Sequence, residues 1–187
     1  GAVVRAIKAV NPLLPIEDEG RLHDANLREN FLVRVHVYSA WRELQINGIT
    51  AQSVISFWSR YKFVVLAHHQ QIYQKIGPLL ADLSAAVEER AQLFFALVMT
   101  ALAKPATRRN HVNVLAHLHG FIKHALSEDD KREWQLVLDN FRAGHVSLSV
   151  PVTLLNHHIR VHGNDYVRSQ QYLMPYPASL GLRNAID

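Results

Sequence analysis

The 187-residue chain has no cysteine. That excludes disulfides, thiolate zinc sites, cysteine-ligated iron–sulfur clusters and cysteine nucleophiles from this chain. Glycine is sparse at eight residues, and no Gly-x-Ser-x-Gly elbow, phosphate-cradling glycine loop or dinucleotide fingerprint occurs. The longest apolar run, Leu93 to Met99, is too short to cross a bilayer. No charged stretch followed by an apolar one opens the chain. The expectation is a soluble, cytoplasmic protein with no membrane contact, no cofactor of its own and no catalysis by this chain alone, although His68, His111 and His117 would be the residues of any acid/base site.

Carboxylates are also missing over long stretches. None occurs from Leu44 to Ala81, from Arg90 to Ser127 or from Asn140 to Asn164, whereas six of the sixteen precede Leu44. The gaps hold Arg60, Lys62, Lys75, Arg90, Lys104, Arg108, Arg109, Lys123, Arg142 and Arg160, with most of the histidines. If these gaps meet in space, one face is strongly positive, and more so as histidines protonate below neutral pH. The alternative is that the acids from Glu128 to Glu133 fold back and neutralise it.

What is present is helical periodicity. The opening, with NPLLPIEDEGRL, reads as an extended, poorly helical connector. Leu27, Phe31, Tyr38, Trp41 and Leu44 then recur at helical spacing between a cap at Asp24 and a stop at Gly48. Thr50 opens a second helix that breaks near His68 and His69. A short segment through Tyr73 stops at Gly77, and Pro78 starts a central helix that runs to Leu102 and forms a hairpin with the next one. Ser127 and Asp130 make a capping box for a helix stopped by Gly144. A loop over SLSV leads to a helix over 151–161, and the tail holds a helical turn or two before an irregular ending. No strand has a partner. The expected fold is all-α, a single-domain bundle of about six to eight helices, with 1–48 as connector and first helix and 49–187 as the bundle proper.

The stretch from Ala103 to Leu126, AKPATRRNHVNVLAHLHGFIKHAL, is basic, rich in histidine and free of carboxylates. At the helical angle, Val114, Leu115, Leu118, Phe121, Ile122, Ala125 and Leu126 share an arc that would enter a core, and Arg109, Asn110, Asn113, His117, Lys123 and His124 share the other. Pro105 reads as a first-turn proline and Thr107 as the cap. Lys104, Arg108 and Arg109 therefore crowd the end where the macrodipole favours anions. Cations placed there cost about 0.3–1 kcal/mol each, and a bound phosphate reverses the sign. The expected RNA contacts are Lys104, Arg108 and Arg109 to phosphates and Asn113 and His117 to a base or sugar, with Lys123 on the same outer face. Arg60, Lys62 and His68 would form a second patch.

Three motifs, PATRRNHVNVLAHLHGFIK, VSLSVPVTLLNHHIR and QYLMPYPASLGLRN, resemble successive motifs of the YbgA-like family, domain of unknown function 1722, which is α-helical. The likeness begins near Phe57, includes YKFVVLAHH, and runs to the end of the chain. Arg108, His111, Asn113, His117 and Gly120 match the family pattern. Ala116 stands where a glutamine is usual, and Phe121 and Ile122 where a Tyr-Phe pair is usual, so an amide and a phenol are absent here. NPLLPIEDEGRLHDANLRENF resembles the closing segment of a cysteine-dependent iron–sulfur desulfidase domain, domain of unknown function 523, that precedes YbgA-like domains in two-domain proteins. The resemblance implies an accessory domain that holds transfer RNA, or another structured RNA, for an N-terminal desulfidase domain in cis that removes sulfur from thiolated uridine.

Other readings of the same residues compete. His111 falls inside the apolar arc, which favours a core histidine bonded to a carbonyl over a catalytic base. His158 and His162 stand at i and i+4 beside His157, but no glutamate lies between them and no third ligand is identifiable, so no metal is expected. The aromatic tail around Tyr172 and Tyr176 offers a protein–protein docking or scaffolding surface if it does not pack on its own bundle.

Overall fold

The computed structural model describes residues 1–83 and 86–185. Ser84 and Ala85 of the expected central helix, and Ile186 and Asp187 of the tail, lie outside the described residues. Among the described residues there are nine α-helices and no strand, so the all-α expectation holds. None of these helices is long and apolar enough to cross a membrane.

Local capping sets most of the boundaries. α1 spans Ala2–Val10. After a 3₁₀ turn over Gly20–His23, Asp24 caps α2 (Ala25–Asn47) by accepting the Leu27 N–H, and Gly48 ends it at φ 97°. Thr50 and Ser53 form a reciprocal capping box for α3 (Ala51–His68). α4 (Gln70–Leu80) and α5 (Val87–Leu102) follow. Thr107 caps α6 (Arg108–Gly120). The Ser127–Asp130 box opens α7 (Glu128–Ala143), which Gly144 closes in the left-handed region at φ 83°. α8 spans Ser149–His162, and α9 is one turn, Asp165–Arg168, capped by Asn164.

α2, α3, α4 and α5 surround an aromatic cluster. Trp41 stacks on Phe95 at 4.7 Å and lies 5.2 Å and 5.6 Å from Phe57 and Phe94. Removing one such fully buried ring costs about 3–5 kcal/mol. α6 packs on α3 and joins this cluster to α7 and α8. Val114, Leu115 and Leu118 of α6 are fully buried, and Ile122 and Leu126 continue that surface in the turns after the helix.

Four expectations are corrected. The opening segment is not wholly extended, because Ala2–Val10 is helical. α4 runs through Gly77 and Pro78: the proline falls in the last turn, where its missing N–H costs a single hydrogen bond and the helix then ends. The central and focal helices form no hairpin pair; α6 turns to α3, α7 and α8. Phe121 is 48% exposed although the helical projection put it in the core. α6 ends at Gly120 and the chain tightens into turns there, which breaks the projected register.

The tail from Gln170 sews the bundle together. The Gln171 N–H donates to the Arg60 carbonyl at 3.0 Å, and the Gln170 amide donates to the Ser59 carbonyl at 3.1 Å. The Tyr176 hydroxyl donates to Glu29 at 3.1 Å. Arg183 donates to the Tyr172 carbonyl at 2.7 Å and pairs with Glu29 at 3.5 Å. Tyr172 and Tyr176 are buried against their own bundle.

Candidate functional site

Two cation-bearing hollows lie at opposite ends of α6. At the start, Thr107 accepts the Asn110 N–H at 3.2 Å and so fixes where Arg108 and Arg109 leave the helix. Arg108, Arg109, Val112 and Arg142 line a cavity of about 460 Å³. α7 returns antiparallel to α6, so its end meets the start of α6. The Arg108 guanidinium lies 6.0 Å from the Phe141 ring centre. It also lies against Gly144, where a Cβ would stand 2.8 Å from Nη1. Arg108 Nε is buried and has no hydrogen-bond partner among the described residues. Arg109 is exposed, as is Lys104 on the loop before the cap. Arg142 is held by Asp139 at 2.7 Å, which offsets part of its charge.

The acids from Glu128 to Glu133 do not fold back onto this end. Glu128 pairs with Lys131, Asp129 with Arg132, and Asp130 with the capping hydroxyl of Ser127. They sit in the first turns of α7, about 14–21 Å along its axis from Arg142.

At the other end of α6, Lys62, Phe63, Tyr73, His117, Gly120 and Phe121 line a hollow of about 260 Å³. The Lys62 ammonium is 5.2 Å from the ring centres of both Phe63 and Tyr166, within cation–π reach. Phe121 leans on Tyr166 at 5.3 Å and meets Phe63 edge-on at 6.4 Å. The exposed His117 ring is 6.3 Å from Phe63. His119 lies about 200° further round the helix and stacks flat on Trp134 at 4.8 Å. His117 comes nine residues after Arg108, about 14 Å along the axis.

The remaining expected residues separate. Arg60 lines a different and larger cavity against the tail. Lys123 is exposed beyond the end of α6, and Asn113 is half-buried. His68 is not a surface contact, which corrects the expectation: it is 7% exposed. Its Nδ1 lies 2.7 Å from the Lys104 carbonyl, and since a carbonyl only accepts, Nδ1 carries the proton. The Asn30 amide donates to the Leu102 carbonyl at 3.0 Å. Asn30 and His68 thus take carbonyls left over at the end of α5, where a helix leaves its last acceptors unpaired.

His111 is a core residue bonded to a phenol, not to a carbonyl: its Nδ1 is 2.8 Å from the Tyr172 hydroxyl. Burial first, then the Arg183 charge and coupling to the neighbouring His68, hold its pKa well below the ordinary histidine value. Burial pushes the Tyr172 phenol up, so the phenol keeps its proton and the hydrogen bond joins two neutral groups. His158 is buried, and its ring centre is 5.5 Å from that of His157, while His162 is exposed. Among the described residues no three histidine, aspartate or glutamate side chains gather as metal ligands.

Sequence reasoning missed the ring wall of Phe63, Phe121 and Tyr166, and the part played by Arg142. The signal for Arg142 was its place two residues before the Gly144 stop, which a returning helix carries to the start of α6.

The model of a family described as a protein of unknown function, DUF1722, matches residues 62–177, which takes in both hollows. The uncharacterized protein YbgA of Escherichia coli (strain K12) is 26% identical over 159 residues, 84% of this chain and 94% of that protein. No solved structure matches the chain.

Proposed function

This chain belongs to the DUF1722 family, and from that premise we propose that it is an accessory module that holds structured RNA, most specifically transfer RNA, for a desulfidase-type domain acting on thiolated uridine. The observation that carries the reading is the pairing of the two ends of α6. One offers Arg108, Arg109 and Arg142 around a hollow, and the other offers Lys62 and His117 beside the exposed Phe121 ring. Arginines at a helix start suit phosphates. A cation among aromatic rings suits an unstacked base. Arg109 and His117, eight residues apart, stand about 12 Å along α6 and about 80° round it, a span one strand can cover. RNA modification itself belongs to the partner domain, and the Lys104, Arg109, Lys62 and His117 side chains do the holding. The match fills 94% of the relative from Escherichia coli, which favours a module able to stand apart from a desulfidase-type domain.

The test is the affinity of the chain for bulk transfer RNA over a salt series, beside a Lys104→Ala, Arg109→Ala double variant. Log affinity should fall linearly with log salt, and the variant slope should be shallower by roughly 0.7–0.9 for each phosphate that the removed cations had neutralised. Absence of binding at low salt by the folded chain would overturn the reading.

A second reading, a protein docking module, is favoured by α1. None of its residues is buried, and Val3 and Val10 are 72% and 88% exposed. On that reading an acidic protein should displace the chain from transfer RNA, whereas duplex DNA should not.

A further inference from the structure

A larger concavity that holds several cations lies away from the two ends of α6. It lies between α8, α9 and the tail, has a volume of about 660 Å³, and is lined by Arg60, Arg160, Arg168 and Arg183, with no carboxylate among the described residues of its wall. Two of these four guanidinium groups already face a carboxylate outside the wall, Arg183 facing Glu29 and Arg168 facing Asp165, and a concave wall focuses the field of the other two. Their side chains are not equally free. Arg183 is only 11% exposed and is fixed by the Tyr172 carbonyl and Glu29, with its guanidinium 4.9 Å from the Tyr172 ring centre. Arg168 is steered by the Arg160 and Ile159 carbonyls at 3.2 Å and 3.4 Å, and its carboxylate neighbour Asp165 is fully exposed at 3.7 Å. Arg60 and Arg160 are exposed and have no ion pair among the described residues. Two positioned arginines therefore frame two that are available.

The rest of the wall is of another kind. Leu173, Pro175 and Leu182 give an apolar side, and the amides of Asn156, Gln171 and Asn184 stand among the cations. The volume is in the range of small-molecule sites and far exceeds what one phosphate fills. An anionic group beside a flat apolar body with polar edges matches this wall, since arginine grips phosphate in its planar fork and amides both donate to and accept from base edges.

We propose that this cavity binds a nucleoside monophosphate unit, with the phosphate on Arg60 and Arg160 and the base against the wall of Leu173, Pro175 and Leu182. The unit comes either as free nucleotide or as one unstacked residue of an RNA strand. The proposal does not rest on the α6 face holding RNA.

The experiment titrates the full chain with uridine and adenosine 5′-monophosphates by calorimetry at low salt. Uridine, inorganic phosphate and a five-residue single-stranded RNA are titrated beside them. Two variants are compared: Arg160→Ala, and Met174→Glu, which puts a carboxylate on the exposed rim of the same cavity. The monophosphates should bind, with uridine and phosphate alone weaker by about tenfold or more, and each variant should bind about tenfold or more weakly than the parent, the worth of one charge-assisted hydrogen bond, at an unchanged unfolding midpoint. Binding of the short RNA but not of free nucleotide, with the same weakening in the variants, would support the strand as source. Binding of neither, binding indifferent to both variants, or phosphate alone binding as well as nucleotide would overturn the proposal. Transfer RNA affinity measured on the same variants separates the two readings. If it persists in the variants while neither free nucleotide nor the short RNA binds, the cavity fails and the α6 reading stands.

Discussion

The Nδ1 of His111 and the hydroxyl of Tyr172 meet at 2.8 Å across 61 residues of chain, which ties α6 to the tail inside the core. Both groups are neutral in this contact: burial keeps the Tyr172 phenol protonated and holds the His111 imidazole uncharged.

Stability should therefore fall on mild acidification. Burial lowers the folded pKa of His68 and His111 below the unfolded value near 6.5. Below about pH 6.5 the unfolded chain takes up these protons and the folded chain does not, so stability drops as pH falls, at about 1.4 kcal/mol per pH unit for each such histidine. Urea midpoints from pH 7.5 to 5.5 check this, and a His111→Asn variant should show a shallower slope. A flat profile in the parent chain would contradict the assignment.

Tyr172→Phe keeps the ring and removes the hydroxyl that bonds His111. The buried imidazole is left without a partner, and the expected destabilisation is about 1–3 kcal/mol, read from denaturant unfolding at pH 7.5.

Gly144→Ala acts in two places. The residue sits at φ 83°, and a Cβ would stand 2.8 Å from Arg108 Nη1. The left-handed backbone costs roughly 1–2 kcal/mol, and the flexible guanidinium swings aside at little further cost. Thermal unfolding should record the first effect, and a change in the salt slope of RNA binding the second.

Phe121→Ala should separate holding from folding. The ring is 48% exposed, so the unfolding midpoint should barely move. Base stacking contributes about 1–3 kcal/mol per base, and affinity for single-stranded RNA should fall accordingly. An affinity equal to the parent's would remove Phe121 from the interface.

Gly163→Ala makes a contrasting case. Its backbone is unstrained at φ −78°, but a Cβ would lie 2.6 Å from the Ile159 carbonyl oxygen and 2.8 Å from Val167 Cγ1. Backbone has to shift, at a cost of about 1–3 kcal/mol. Because the Ile159 carbonyl also holds Arg168, nucleotide binding at the tail cavity should weaken together with the unfolding midpoint.

Local chemistry was the legible part of this sequence. Asp24, Thr50, Thr107 and Ser127 each cap the helix they were expected to start, because a cap needs partners only three residues away. Gly48 and Gly144 likewise end α2 and α7. The buried place of His111 followed from its position on the apolar arc, but its partner lies 61 residues on and no periodicity reports that. His68 was misjudged for the same reason, since the carbonyl it takes belongs to Lys104, 36 residues away. Pro78 misled because a proline near the end of one helix and at the start of another looks alike in sequence. Arg108 and Arg109 were found from charge alone, whereas the ring wall beside Lys62 needed α3, α6 and α9 to be placed together.

The tail also has a bearing on the order in which the molecule assembles. Tyr176 reaches Glu29 across 147 residues, and contacts of such long loop closure form slowly and late. While the chain is being made, Glu29 and His111 stay wetted until the segment from Gln170 to Arg183 has emerged and docked. The same segment should be among the first to open in the finished protein, so amide exchange at the Gln171 N–H, which is pinned to Arg60, should run ahead of exchange at the centre of α5.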